Sequence, residues 1–155
     1  MIYRIPTKRR EVTFKVEFST VINRPVAEVF AFITDPSNNT KYQEGLIESR
    51  LETPGPIGVG SKATDVRKFL GRQLELKLEV TAYEPGKRFG LKAVSGPIPF
   101  EVLQTFEPVE GGTRIELITQ AEPGGFFKLA EGMVKKQLES QLSGDMARLK
   151  KVLEG

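Results

Sequence analysis

The sequence has no cysteine and no histidine among its 155 residues, and these two absences exclude more chemistry than any residue present suggests. Without them there is no disulfide framework, no thiol nucleophile, no Ser-His-Asp triad and no Cys-His pair. Nearly every zinc or haem ligand set is lost as well. No metal or cofactor is expected, and any catalysis would fall to carboxylate, lysine, arginine, tyrosine or hydroxyl groups. Lack of cysteine also fits a reducing compartment. No apolar run approaches the ~18 residues that cross a bilayer. The basic residues Arg4 and Lys8, Arg9 and Arg10 are not followed by the apolar stretch and small-residue cleavage site of a secretory signal. The expectation is a cytoplasmic protein with no stable membrane insertion. An excess of one charge is missing too: the net charge is +3 with both signs interspersed, so no extended nucleic-acid footprint is present.

What remains is ordinary globular material, with 39% hydrophobic and 28% charged residues. At this length roughly 70% of the unfolded chain's surface is buried on folding, enough for one sizeable core. No linker, internal repeat or low-complexity tract divides the chain, which predicts a single domain over residues 1–155.

Residues 11–22 alternate, with Val12, Phe14, Val16, Phe18 and Ile22 on one face and Lys15 and Glu17 on the other; this is a half-buried strand. Pro25 then suits the first turn of a helix whose apolar side is Val26, Val29, Phe30 and Ile33. Asp35-Pro36 stops that helix, and Ser37, Asn38 and Asn39 are placed to cap a second short helix ending near Tyr42. Strands follow at 46–53, 61–70, 74–83, 88–95, 100–106 and 113–121. Their connections, apart from the Pro- and Gly-rich loop at 54–60, are short enough to favour antiparallel hairpins. Beyond Pro123-Gly124-Gly125 the period changes from 2 to 3.6. Phe126, Ala130, Met133, Val134, Leu138, Leu142, Met146, Leu149, Val152 and Leu153 then trace a stripe along one helix of about seven turns.

This order of strand, two short helices, strands and long helix resembles the START-like, or Bet v 1-like, helix-grip superfamily. Within it the chain is most similar to the bacterial polyketide cyclase/dehydrase and lipid-transport-like group. The likeness covers nearly the whole chain and rests on Ile22-x-x-Pro25-x-x-x-Val29-Phe30 with Asp35-Pro36, on Gly58 to Ser61, and on Val80 to Pro85. Phe106-Glu107-Pro108, Gly111 to Arg114 and Arg148-Leu149-Lys150 complete it. It implies an α+β fold in which an antiparallel curved sheet of about seven strands wraps around a long C-terminal helix and leaves a ligand-sized hollow. Tyr42 departs from the pattern, since many relatives carry tryptophan there.

Each candidate site has a plainer reading beside it. The run Gly-x-x-x-x-Gly-Ser-Lys at 55–62 resembles a phosphate-binding loop, but its hydroxyl precedes its lysine and a strand follows, so it reads as a turn. Asn38-Asn39-Thr40 matches a glycosylation sequon without the secreted context, Asp35 reads as a local hydrogen-bonding residue, and Lys8 to Arg10 read as a solvated arm. Asp65 and Arg67 share a strand face. Most charged residues stay exposed, so an outward or rim position is the expected one, whereas an inward face would make them a polar anchor for a ligand head group. Gln104 shares its face with Phe100, Val102 and Phe106, and Gln137 and Gln141 lie a turn apart beside the helical stripe. Amides on apolar faces need partners, which a ligand or water would supply, or else they reach solvent at the edge. The candidate ligand-binding set is therefore Tyr42, Asp65, Arg67 and Gln104, with Phe100, Met133, Gln137 and Gln141 beside them. Gly132 and Gly144 inside the helix suggest close approach to the sheet or a bend over a cavity.

The leading functional expectation is binding or transport of a hydrophobic or amphipathic small molecule, such as a lipid, quinone or polyketide-like compound, without catalysis. The alternative is a cyclase or dehydratase that holds a reactive chain in a folded pose, with Tyr42, Asp65, Arg67 and Tyr83 as first suspects. A third reading is a co-chaperone or stress-type module that binds a partner protein through an exposed apolar surface.

Overall fold

Alternation in the first apolar segment produces β1 (Phe14–Ile22), and Pro25 closes it by opening α1 (Val26–Ile33) with an extended backbone at φ −61° and ψ 148°. The computed structural model describes residues 14–69, 71–96, 99–121 and 131–155. Val12, the basic triplet at 8–10, Leu70, Pro97, the breaker at 123–125 and the expected helix start at 126–130 lie outside the described residues. After α1 a 3-10 turn runs from Pro36 to Lys41. Its cap is Asp35, whose carboxylate accepts from the Ser37 amide at 3.0 Å and hydroxyl at 2.8 Å, so the aspartate before the proline does the work expected of the Ser37–Asn39 cluster.

The remaining strands are β2 (Leu46–Leu51), β3 (Lys62–Phe69), β4 (Arg72–Glu84), β5 (Arg88–Ser95), β6 (Phe100–Val109) and β7 (Gly112–Ala121). They form a seven-stranded antiparallel sheet in the order β1-β7-β6-β5-β4-β3-β2. Strands β1 and β2, neighbours in the chain, thus sit at opposite edges, and α1 with the 3-10 turn spans the gap between them. Register shifts in the long β4, at Lys77/Leu78 and Val80/Ala82, bend the sheet as bulges do. Into this curve packs α2 (Glu131–Glu154).

Two apolar clusters hold the helix. One gathers Ile22, Val29, Phe30, Ile115, Met146 and Leu149 with others near the C-terminal end of α2. Phe30 is its hub, edge-on to Phe106 at 5.1 Å and Tyr83 at 5.4 Å between ring centres, a favoured aromatic geometry. The other cluster joins Val16, Ala121 and Val134 near the helix's first turns, with Leu138 and Leu142 against it. Polar contacts fasten the same corner as the first cluster. The Asn23 amide donates to Glu154 Oε2 at 2.7 Å, Lys150 Nζ to the Val21 carbonyl at 2.9 Å, and Arg148 Nε to the Tyr42 carbonyl at 2.9 Å. Close approach to the sheet, one of the two roles expected of Gly132 and Gly144, is corrected: among the described residues a Cβ on Gly132 meets nothing within 4 Å, and one on Gly144 meets only the Arg148 guanidinium at 3.5 Å. Neither brings the helix onto the sheet.

Candidate functional site

Between the two clusters, under the middle of α2, lies a cavity of about 240 Å³. That exceeds the roughly 150 Å³ known to accept a benzene ring in an apolar protein core. Its floor is the inner face of the sheet, where alternation presents Leu74, Leu76 and Leu78 from β4 and Leu91 from β5; Val134, Leu138 and Leu142 of α2 form its roof.

Polar groups gather at one end, where β2 and β3 meet the segment after the 3-10 turn. Asp65 and Arg67 face inward, correcting the expected outward placement. The cause is register: Asp65 sits opposite Leu76 and Arg67 opposite Leu74, and directly opposed residues of an antiparallel pair share a face. A connected set of hydrogen bonds fixes them. Asn39 Nδ2 donates to Ser49 Oγ at 3.1 Å, and that hydroxyl donates to Asp65 Oδ1 at 2.7 Å. Arg67 Nη2 donates to Gln43 Oε1 at 2.7 Å and lies 3.5 Å from Asp65 Oδ2. Gln43 Nε2 in turn donates to the Tyr42 hydroxyl at 3.4 Å. Among the described residues, Nε and Nη1 of Arg67 and the Tyr42 hydroxyl proton have no hydrogen-bond partner, so donors remain available at the cavity.

Asp145, from α2, completes this end. It is buried and accepts from the Glu44 amide at 2.9 Å and Arg148 Nη2 at 2.6 Å. Burial raises its carboxyl pKa, and the two hydrogen bonds oppose that rise. Burial likewise pushes the Tyr42 phenol up to about 12 from 10.0, so the ring stays a neutral donor. The unfolded chain therefore ionises Tyr42 from pH 10.0 while the folded protein holds its proton to about 12. Stability present below the lower value is lost as pH rises through the upper one. Between about pH 9 and pH 12, urea melts of the wild type should lose on the order of 2 kcal/mol more than those of Tyr42→Phe. Equal losses would show that the phenol is not shielded.

The far wall carries a second, uncharged polar group. Gln104 and Thr119 are both buried and both line the cavity. Since Val102 pairs with Thr119 and Gln104 with Leu117, the two polar residues are diagonal neighbours, about 7 Å apart. Among the described residues Thr119 Oγ1 is buried without a hydrogen-bond partner. Thr119→Val should therefore stabilise the ligand-free protein by about 1 kcal/mol in urea melts, because an unpaired buried hydroxyl becomes a methyl of similar size. A loss of similar size would mean that something pairs with the hydroxyl.

Of the expected set, Tyr42, Asp65, Arg67, Phe100, Gln104 and Gln141 line the cavity. Met133 does not, and is 63% exposed; it precedes the inward Val134 by one residue, ~100° around the helix. Gln137 is exposed too. Gln141 already lies at the edge of the stripe, and a step of four residues back rotates ~40° further. Tyr83 lies outside the cavity lining and packs against Phe30 and Phe89 at 5.4 and 6.2 Å. Sequence reasoning missed Asn39, Gln43, Ser49, Thr119 and Asp145. Thr119 carried the same signal as Gln104, a polar residue on an apolar strand face beside Ile115, Leu117 and Ala121.

Comparison with known proteins places this geometry. A family model described as polyketide cyclase/dehydrase and lipid transport matches residues 13–154. Two curated relatives, uncharacterized proteins of Mycobacterium tuberculosis, are 28% identical over 74 residues, 47% of this chain and 33% of theirs; the matched stretch thus spans about a third of those relatives. Among solved structures, a Thermus thermophilus protein superposes with a TM-score of 0.77 at 18% identity, covering 88% of this chain and 94% of that one. BexL, a di-domain ARO/CYC from the BE-7585A biosynthetic pathway, gives 0.76 at 14% identity over 92% of this chain and 50% of its own. At such identities the superpositions establish the START-like helix-grip fold alone. The family match spans nearly all of the sequence, and on that ground the chain belongs to the polyketide cyclase/dehydrase and lipid transport family.

Proposed function

We propose that this protein binds or carries a hydrophobic or amphipathic small molecule, a lipid, quinone or polyketide-like compound, beneath α2. The carrying observation is the hollow itself, apolar over its leucine floor and roof, with the charged groups among its described lining residues gathered at one end. Family membership supports hydrophobic-ligand binding at the general level. The apolar part of the ligand would lie over Leu74, Leu76 and Leu78, and an oxygen at its polar end would accept from Arg67 or Tyr42. A protein-interaction module would sooner fill its core and expose an apolar patch. Mass spectrometry of organic extracts of the purified protein should find a co-purifying apolar compound, and apolar probes should raise the melting temperature. If nothing is extracted and no probe shifts it, the reading fails.

A second reading, a cyclase or dehydratase, is supported by the convergence of the Arg67 and Tyr42 donors, which suits holding a carbonyl-bearing chain in a reactive pose. Its mark would be turnover of a poly-β-ketone chain that Arg67→Gln and Tyr42→Phe abolish. Turnover surviving both changes would leave the two residues no catalytic part.

A further inference from the structure

We propose that Asp65 makes this cavity selective for uncharged ligands, an inference that rests on the ligand-binding reading above. A guanidinium is always charged, and a lone Arg67 in an apolar hollow would be a receptor for carboxylates, which it grips with two parallel hydrogen bonds. Asp65 removes that property. Its Oδ2 lies 3.5 Å from Arg67 Nη2, while its Oδ1 is held by the Ser49 hydroxyl at 2.7 Å, itself fixed by Asn39 at 3.1 Å. The carboxylate is therefore a built-in counter-ion and not a mobile side chain that swings away. The two side chains are 14% and 9% exposed, so water screens them little.

The charged residues lining the cavity, among those described, are Arg67, Asp65 and Asp145. Asp145 is tied to Arg148, which lies outside the lining. An incoming carboxylate would meet one cation already matched and two carboxylates that repel it. A ligand ammonium would meet Arg67. A neutral oxygen meets neither obstacle, because the Nε and Nη1 hydrogens of Arg67 and the Tyr42 proton can reach it without breaking the pair. Far from this end, Gln104 and Thr119 add polarity without charge. Discrimination of this kind comes from what the site repels as much as from what it attracts.

Competition against Nile red at about pH 8, where dodecanoate is an anion and dodecylamine a cation, tests the idea with three ligands of one chain length. In the wild type, dodecanol should displace the dye at a concentration at least about tenfold lower than dodecanoate or dodecylammonium. Asp65→Asn should tighten dodecanoate at least about fivefold relative to dodecanol measured on the same variant. Should that variant not fold, Arg67→Gln gives the mirror result, a gain of at least about fivefold for dodecylammonium as Asp65 is left unmatched. Dodecanoate binding as tightly as dodecanol to the wild type overturns the proposal, as does a gap that either folded variant leaves unchanged. If neither Nile red nor dodecanol binds, the ligand-binding reading itself falls.

Discussion

Leu149→Ala should lower the free energy of unfolding by about 3–5 kcal/mol, whereas Leu142→Ala, two turns earlier on the same helix, should cost about 1–2 kcal/mol. The contrast follows from what each side chain touches. Leu149 is fully buried in the cluster of Ile22, Val29 and Ile115, so truncation removes apolar area and leaves a new void that a close-packed surround cannot fill. Leu142 is only half-buried and already faces the hollow, so it has fewer contacts to lose. Urea melts of both variants measure the difference. Equal costs would mean that the middle of α2 is packed like its end and that the cavity is not there. Leu142→Ala should also bind bulkier apolar probes more tightly, since it widens the site without touching the charged end.

The same contrast shows what the sequence could tell. Period 2 in Leu74, Leu76 and Leu78 against Glu75, Lys77 and Glu79 gave β4 its two faces, and the change to period 3.6 gave α2 its stripe. Pro25 and Asp35-Pro36 bounded α1 as expected. Each of these is local chemistry, and local chemistry is what a single sequence states most directly.

The site was harder because its residues break the rules that made the fold legible. Both faces of β3 mix polar with apolar residues: Ala63, Asp65, Arg67 and Phe69 on one, Lys62, Thr64, Val66 and Lys68 on the other. The preference of charge for solvent chose the wrong face for Asp65 and Arg67. A better signal was present in the hairpin, where odd-numbered residues of β3 oppose even-numbered residues of β4. Counting back across the turn in this register puts Asp65 on the face of the inward leucines, whereas a slip of one residue would set it opposite Glu75 or Lys77 on the other face. For α2 the stripe was drawn too wide. Met133 is apolar but points away, while Asp145, a carboxylate, points in because Arg148 and the Glu44 amide satisfy it. Gln43, Ser49 and Asn39 join the site only through contacts between separate elements, which no periodicity encodes.

Gly112→Ala is the second large effect, and it tests the corner where β1 and β7 meet the end of α2. A Cβ at Gly112 would overlap the Ile22 carbonyl oxygen and stand 2.9 Å from the Asn23 Cα. Both are backbone atoms, so no side chain can turn aside. The β1–β7 ladder ends at this place with Ile22 opposite Thr113, and the Asn23 amide holds Glu154 at the end of α2. Making room for a methyl must therefore push apart the strand pair, the helix end, or both, at an expected cost of about 3 kcal/mol. Its neighbour gives the control. Gly111 has φ +83° but nothing within 4 Å of a Cβ, so Gly111→Ala should cost only the left-handed backbone penalty, about 1–2 kcal/mol. Urea melts would rank the pair, and hydrogen exchange should show faster opening at Asn23 and the last turn of α2 in Gly112→Ala alone. A Gly112→Ala protein as stable as the Gly111→Ala one would mean that β1 and β7 have slack at this corner, and that the grip on α2 is looser than these contacts require.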